Sequence, residues 1–130
     1  MSQENVDRLR KSLHHLAATG EPDWSLLHED IEIYDHDILD AGDYRGHSGF
    51  GKWLEEWASA FSEFSLDPKE YLDAGDTVIV VFQMKATGAG SSITVEREDA
   101  MICKWRDQKI MRVDYYNNRE QALKAVGLEE

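Results

Sequence analysis

The sequence predicts an α+β domain, with helices grouped against a curved antiparallel sheet, on three observations. Apolar residues recur at intervals of three and four in two segments, Val6 to Ala17 and Phe50 to Phe61. Four extended runs follow, at about 64–73, 77–86, 92–105 and 109–116, with turn-rich breaks at Asp73-Ala74-Gly75-Asp76 and Arg106-Asp107-Gln108-Lys109. A short helical signal from Asn118 closes the chain.

Val6, Leu9, Leu13, Leu16 and Ala17 define one face of a first helix, running from a Ser2 or Asn5 cap to Gly20. The stretch from Glu21 to His28 reads as a short second helix with Asp23 near its start. Ile31 to Asp35 then alternates as a first strand, with Ile31, Ile33 and Asp35 on one face and Glu32, Tyr34 and His36 on the other. A loop from Asp37 to Arg45 leads to a third helix that His47 or Ser48 can cap. Phe50, Trp53, Leu54, Trp57, Ala58 and Phe61 give that helix an aromatic stripe. The turn-rich breaks join adjacent strands as hairpins. The closing helix runs through Ala125, with Gly127 as its C-terminal signal.

The 130 residues fit one domain, taken as residues 1–130, with one core. Hydrophobic residues make up 42% and charged residues 31%, and no apolar run reaches the roughly 18–20 residues a membrane helix needs. The first residues show no basic head followed by an apolar stretch, so a cytoplasmic protein is expected. A net charge of −12 repels phosphate, which argues against nucleic acid and anionic membranes as partners. Cys103 is the single cysteine, so no internal disulfide and no cysteine-cluster zinc site can form. Asp35-His36-Asp37 superficially suggests a metal site, but adjacent strand residues point to opposite faces, and no metal is expected.

Strand alternation nominates the residues that face inward. On the fourth strand the odd positions, Ile93, Val95, Arg97, Asp99, Met101, Cys103 and Trp105, form the buried face; on the last, Met111, Val113 and Tyr115 are the more apolar set. Asp35, Arg97 and Asp99 are then the charged residues on inward faces. An ionised group in an apolar cavity is either paired or a working acid or base. Arg97 and Asp99, two apart on one strand face, can pair directly. Asp35, ending its strand, stands at the cavity mouth. Trp53, Trp57 and Phe61, opposite Trp105 and Tyr115, either complete a core or wall an apolar ligand site. The third of the strands, Val78 to Met84, is apolar on both faces, so its second face needs cover from a helix or a second subunit.

Three stretches are family-typical: Tyr44-Arg45-Gly46-His47 before the aromatic helix, Asp73-Ala74-Gly75-Asp76 followed by Val78-Ile79-Val80-Val81, and Asp107-Gln108-Lys109-Ile110-Met111-Arg112 before Arg119-Glu120-Gln121-Ala122-Leu123. With them the chain, from Val6 to Leu128, resembles a SnoaL-like domain of the nuclear transport factor 2-like superfamily. That is the fold of polyketide cyclases, ketosteroid isomerase and scytalone dehydratase. The resemblance implies a conical barrel, a strongly curved and mostly antiparallel sheet with helices packed on its concave side around a pocket. It also implies cofactor-free chemistry and a homodimer. The superfamily holds enzymes, ligand binders and interaction domains, so the fold does not give the function.

By the same resemblance, Asp35 falls where ketosteroid isomerase has its general base. The two oxygen-polarising donors of that isomerase fall at Leu13 and Met101, neither of which can donate. The acidic residue of the cyclases falls at Tyr115, a poor base at its usual pKa of about 10. Of the five histidines, His36, His47 and one of His14 and His15 can approach the cavity. Two functions are therefore expected. One is a lyase, isomerase or cyclase in which Asp35 moves a proton on a hydrophobic carbonyl compound while Tyr115, Arg97, Asp99 or His36 assists. The other is a non-catalytic ligand-binding or dimerisation module. In both, Leu13, Trp53, Trp57, Phe61, Met101, Cys103, Trp105 and Val113 line the site for a small apolar molecule.

Overall fold

The computed structural model describes residues 2–36, 44–88, 90 and 93–127. Helix α1, Ser2–Thr19, buries Val6 and Leu9 and half-buries Leu13. It ends where Gly20, at φ +78, returns its N–H to the Leu16 carbonyl at 2.8 Å, a left-handed cap that glycine adopts without strain. The short second helix expected from Glu21 to His28 is a single 3₁₀ turn, Trp24–Leu26. Asp23 caps it, but Leu27 and His28 are drawn into strand β1, Leu27–Asp35, which begins four residues earlier than the alternation signalled.

The expected loop from Asp37 lies largely outside the described residues, and its last two residues form strand β2, Tyr44–Arg45. Helix α2, Gly46–Ala60, follows directly and buries Phe50, Trp53 and Trp57. Neither His47 nor Ser48 caps it. Arg45 occupies the cap position and makes no capping bond with its side chain, and His47 Nε2 donates to the Leu27 carbonyl at 2.8 Å, tying α2 to β1. Phe61 is no longer helical; it opens strand β3, Phe61–Asp73.

Strands β4, Thr77–Gly88, β5, Thr94–Arg106, and β6, Lys109–Tyr116, continue the expected hairpins, and helix α3, Arg119–Ala125, closes the chain under an Asn118 cap. Asp107 and Gln108, at φ +53 and +68, form the two-residue turn between β5 and β6. Positive φ at both positions gives the twist that such a tight hairpin requires. The six strands make one curled, unclosed sheet in the order β2-β1-β6-β5-β4-β3. All neighbours are antiparallel except β1 and β6, the parallel junction where the first strand meets the last.

The register sorts the strands into two faces. Val78, Val80, Phe82, Met84 and Ala86 of β4 share the inner face with Asp99, Met101 and Cys103 of β5, Val113 and Tyr115 of β6, and Ile33 and Asp35 of β1. Helices α1 and α2 cover it and form the main core. Ile79, Val81, Ala100 and Ile102 face the other way and pack on Ala122 of α3. The helices are thus split, α1 and α2 on the concave side and α3 on the convex side. Fully burying an aliphatic side chain stabilises by about 1.5–3 kcal/mol, and α3 provides that burial for the second face of β4 without a partner chain. Two assignments on β5 change as well. Ile93 precedes the strand and is 70% exposed, and Val95 is 38% exposed, because β4 and β5 run on past the helices that would cover them. Among the described residues, no helix is long and apolar enough to cross a membrane.

Candidate functional site

Asp35 and Tyr115 are register partners on the parallel pair β1 and β6, so both side chains stand on the inner face. Positions 53 and 57 lie one turn apart on α2, so their indoles point at the same place. Trp53 Nε1 donates to Asp35 Oδ2 at 2.8 Å and Trp57 Nε1 to the same oxygen at 3.2 Å. Asp35 is 5% exposed. It is a buried, hydrogen-bonded carboxylate rather than a solvated one at a mouth, because the aromatic helix closes over it.

Tyr115 stands between the two indoles, its ring edge-on to Trp53 at 5.8 Å and to Trp57 at 5.2 Å. Its hydroxyl donates to Asp99 Oδ2. Arg97 donates to the same carboxylate, Nε to Oδ1 at 2.6 Å and Nη2 to Oδ2 at 3.4 Å. Asp99 is fully buried, so this is the internal ion pair expected of two positions on one strand face. Burial, the Asp99 charge and the hydrogen bond to it push the Tyr115 phenol well above its usual range, so Tyr115 stays a neutral donor.

The remaining nominated residues divide cleanly. Leu13, Phe61 and Met101 are partly buried against the inner core, and Cys103, Trp105 and Val113 belong to it. Burial, aided by the Asp114 charge, raises the Cys103 thiol to about 12, which makes it unreactive. Trp105 Nε1 is buried without a hydrogen-bond partner among the described residues. His36 does not join the site. It comes directly after the end of β1 and faces outward, where its ring stacks on Tyr116 at 4.3 Å and Nε2 lies 2.8 Å from Asp114 Oδ1. His14 and His15 are exposed, and His47 is held by Leu27. Asp37, third of the suspected metal residues, lies outside the described residues; among those, no group of three metal-ligating side chains occurs.

What the sequence reading missed is the link from Trp53 and Trp57 to Asp35. Both belong to the core, one of the two expected roles, and their N–H groups also fix the carboxylate. A buried indole N–H needs an acceptor, and an inward Asp opposite an i, i+4 tryptophan pair was the available signal. A groove of about 200 Å³ opens elsewhere, between β3 and β4, lined by Glu63, Phe64, Ser65, Lys85, Ala86 and Thr87.

No curated protein matches the sequence. Solved structures do. An NTF2-like protein of Burkholderia xenovorans aligns with a TM-score of 0.73 at 24% identity, over 89% of this chain and 90% of that one. An NTF2-like protein of unknown function from Burkholderia pseudomallei gives 0.76 at 13%, over 92% and 95%. A putative SnoaL-like polyketide cyclase from Jannaschia sp. gives 0.75 at 13%, over 99% and 95%. These likenesses carry the fold. The SnoaL-like domain family profile matches residues 9–113, from the buried face of α1 to the inner position beside Tyr115, and the chain belongs to that family.

Proposed function

We propose that this chain binds a small apolar molecule on the inner face of its sheet and uses Asp35 as the acid or base of a cofactor-independent lyase, isomerase or cyclase reaction on a hydrophobic carbonyl compound. Asp35 carries the reading: a carboxylate, 5% exposed, whose Oδ2 two indoles hold in place among aromatic rings. Such fixing in a water-poor site is what proton transfer at carbon needs. Arg97 and Asp99 serve each other, which leaves them to orient Tyr115. Tyr115, the neighbour of Asp35 across β1 and β6, gives its one O–H to Asp99 and becomes the donor for the oxygen that gains charge only by exchanging that bond.

A second reading, a ligand-binding module without catalysis, is favoured by the rings of Trp53, Trp57 and Tyr115, which close over Asp35 and keep a reacting carbon from its carboxylate. One experiment separates the two. A thermal-shift screen of hydrophobic carbonyl compounds finds a stabilising ligand, and NMR then follows exchange of its α-proton with D₂O. Catalysis predicts exchange that Asp35→Asn lowers by at least about a hundredfold while ligand binding persists. Binding with no exchange in the wild type supports the module, and no stabilising ligand sinks both.

For the partner we propose a second copy. Tyr34, His36, Arg112 and Tyr116 stand together on the outer face, a composition that interfaces favour. Light scattering should then give twice the mass of the chain, and a monomer at micromolar concentration would remove the proposal.

A further inference from the structure

We infer that the edge of β3, from Glu63 to Asp67, takes an extended peptide of another protein as a further strand, one that alternates basic with apolar residues. The site stands apart from Asp35 and draws nothing from the reading of the inner face. β3 ends the sheet: it pairs with β4 on one side and, among the described residues, with no strand on the other. None of its residues is buried. Register shifts at Phe61/Glu63 and Pro68/Glu70 bound its regular part, and between them Glu63 to Pro68 pair with Thr87 to Phe82 without a break. A strand edge leaves the N–H and C=O of every second residue pointing outward, ready for a neighbour. Bulges, prolines and lysines blunt such edges. β3 has all three from Pro68 onward, and none of them between Glu63 and Asp67.

The side chains define the guest. Phe64 and Val95 both pair with Ala86, so an apolar rung crosses three strands on the concave side, beyond the helices that cover the rest of it. Among the described residues the exposed large hydrophobics are Phe64, Ile93 and Val95, all at this end of the sheet. Clustered rather than scattered, they mark a contact surface. The groove of about 200 Å³ between β3 and β4 opens beside them and has room for a side chain of the added strand. Period two puts Glu63 and Asp67 on the opposite face. Lys69 and Lys85 are engaged by Glu98 and Glu96, whereas Glu63 and Asp67 have no ion-pair partner among the described residues. Opposite charges on neighbouring strands attract and like charges repel, so basic residues belong beside these two carboxylates. A second copy would bring the same acidic edge against itself. The net charge of −12 draws a basic peptide from a distance.

The test titrates ¹⁵N-labelled protein with three end-capped peptides. They are Val-Lys-Val-Lys-Val-Lys-Val, its counterpart with glutamate for lysine, and Val-Lys-Pro-Lys-Pro-Lys-Val, which keeps the charge but loses N–H groups and strand geometry. The first is expected to move the amide cross-peaks from Glu63 to Asp67 and to slow hydrogen exchange at alternate amides of that stretch by at least about tenfold. Its dissociation constant should lie at least about tenfold below those of the other two. Glu63→Lys together with Asp67→Lys, both at exposed positions, should pass that preference to the glutamate peptide. Equal binding of the glutamate peptide, or a preference for lysine that survives the reversal, overturns the basic partner. Equal binding of the proline peptide overturns strand addition. Protection of these amides that grows with protein concentration alone makes the guest a second copy, and an edge that no peptide shifts is no docking site. None of these results bears on Asp35, which the carbonyl screen decides independently.

Discussion

Trp53 and Trp105 are both buried on the inner face, but their indole N–H groups differ in circumstance: Trp53 donates to Asp35, and Trp105 has no partner among the described residues. The same change, tryptophan to phenylalanine, therefore has two consequences. At both sites it removes ring volume. At position 53 it also takes a donor from a buried carboxylate, whereas at position 105 it removes a desolvated group that bonds nothing. Hydrogen bonds to charged groups contribute about 1.5–3 kcal/mol, so Trp53→Phe should destabilise by roughly that much more than Trp105→Phe in urea unfolding. Equal losses would mean that the Asp35 bond contributes nothing net. Alternation in the sequence was enough to turn Asp35, Asp99 and Tyr115 inward. It was not enough to show what each touches, because period two gives a face and not a distance. His36 illustrates the limit: it counts among the histidines able to approach the cavity, yet its parity puts it on the face opposite Asp35, where Asp114 and Tyr116 hold it.

The junction of β2 and α2 shows what local pattern conveys about an element and what it does not. The aromatic repeat marked the helix, but its start depends on contacts far away in the chain. His47 is spent on Leu27, and a Cβ at Gly46, at φ +69, would stand 3.1 Å from the Glu29 carbonyl. Gly49 is more telling still, since a Cβ there would lie 2.9 Å from the Tyr44 backbone. Alanine normally stabilises a helix interior by about 1 kcal/mol over glycine. Here Gly49→Ala should destabilise, by about 1–3 kcal/mol, because α2 must shift off β2 to admit the methyl group. A higher melting temperature for Gly49→Ala would show that the junction yields freely. The same non-local cause explains why β2 escaped notice: two residues carry no periodicity, and they become a strand by pairing with Glu32 and Ile33.

At the scale of the molecule, the α+β class and the hairpin order were legible because they rest on local turns, while the two long-range decisions were not. One is the placement of α3 on the convex face, where it covers Ile79 and Val81 and so decides for a helix between the two expected covers, a helix or a second subunit. The other is the parallel joining of β1 to β6, which ties the first strand to the last. An outer-face network reinforces that join. Arg112 donates to Asp114 through Nε at 2.8 Å and Nη2 at 3.1 Å, His36 holds Asp114 Oδ1 from just past the end of β1, and the Arg112 guanidinium lies 4.2 Å from the centre of the Tyr34 ring. Burial acts to raise the Asp114 carboxyl, but the hydrogen bonds and charges of Arg112 and His36 outweigh it and hold the group below the usual carboxylate range. A carboxyl lowered on folding contributes stability that is fully present above its unfolded value of about 3.9 and is lost as pH falls through the folded value. Asp114→Asn should therefore cost roughly 1–2 kcal/mol at pH 7, between the worth of an exposed and a buried pair. That gap should shrink steadily once the pH drops below about 4. Urea unfolding of both proteins at pH 7, 5 and 3 measures it. A gap as large at pH 3 as at pH 7 would mean that shape rather than charge at Asp114 joins the two ends of the chain.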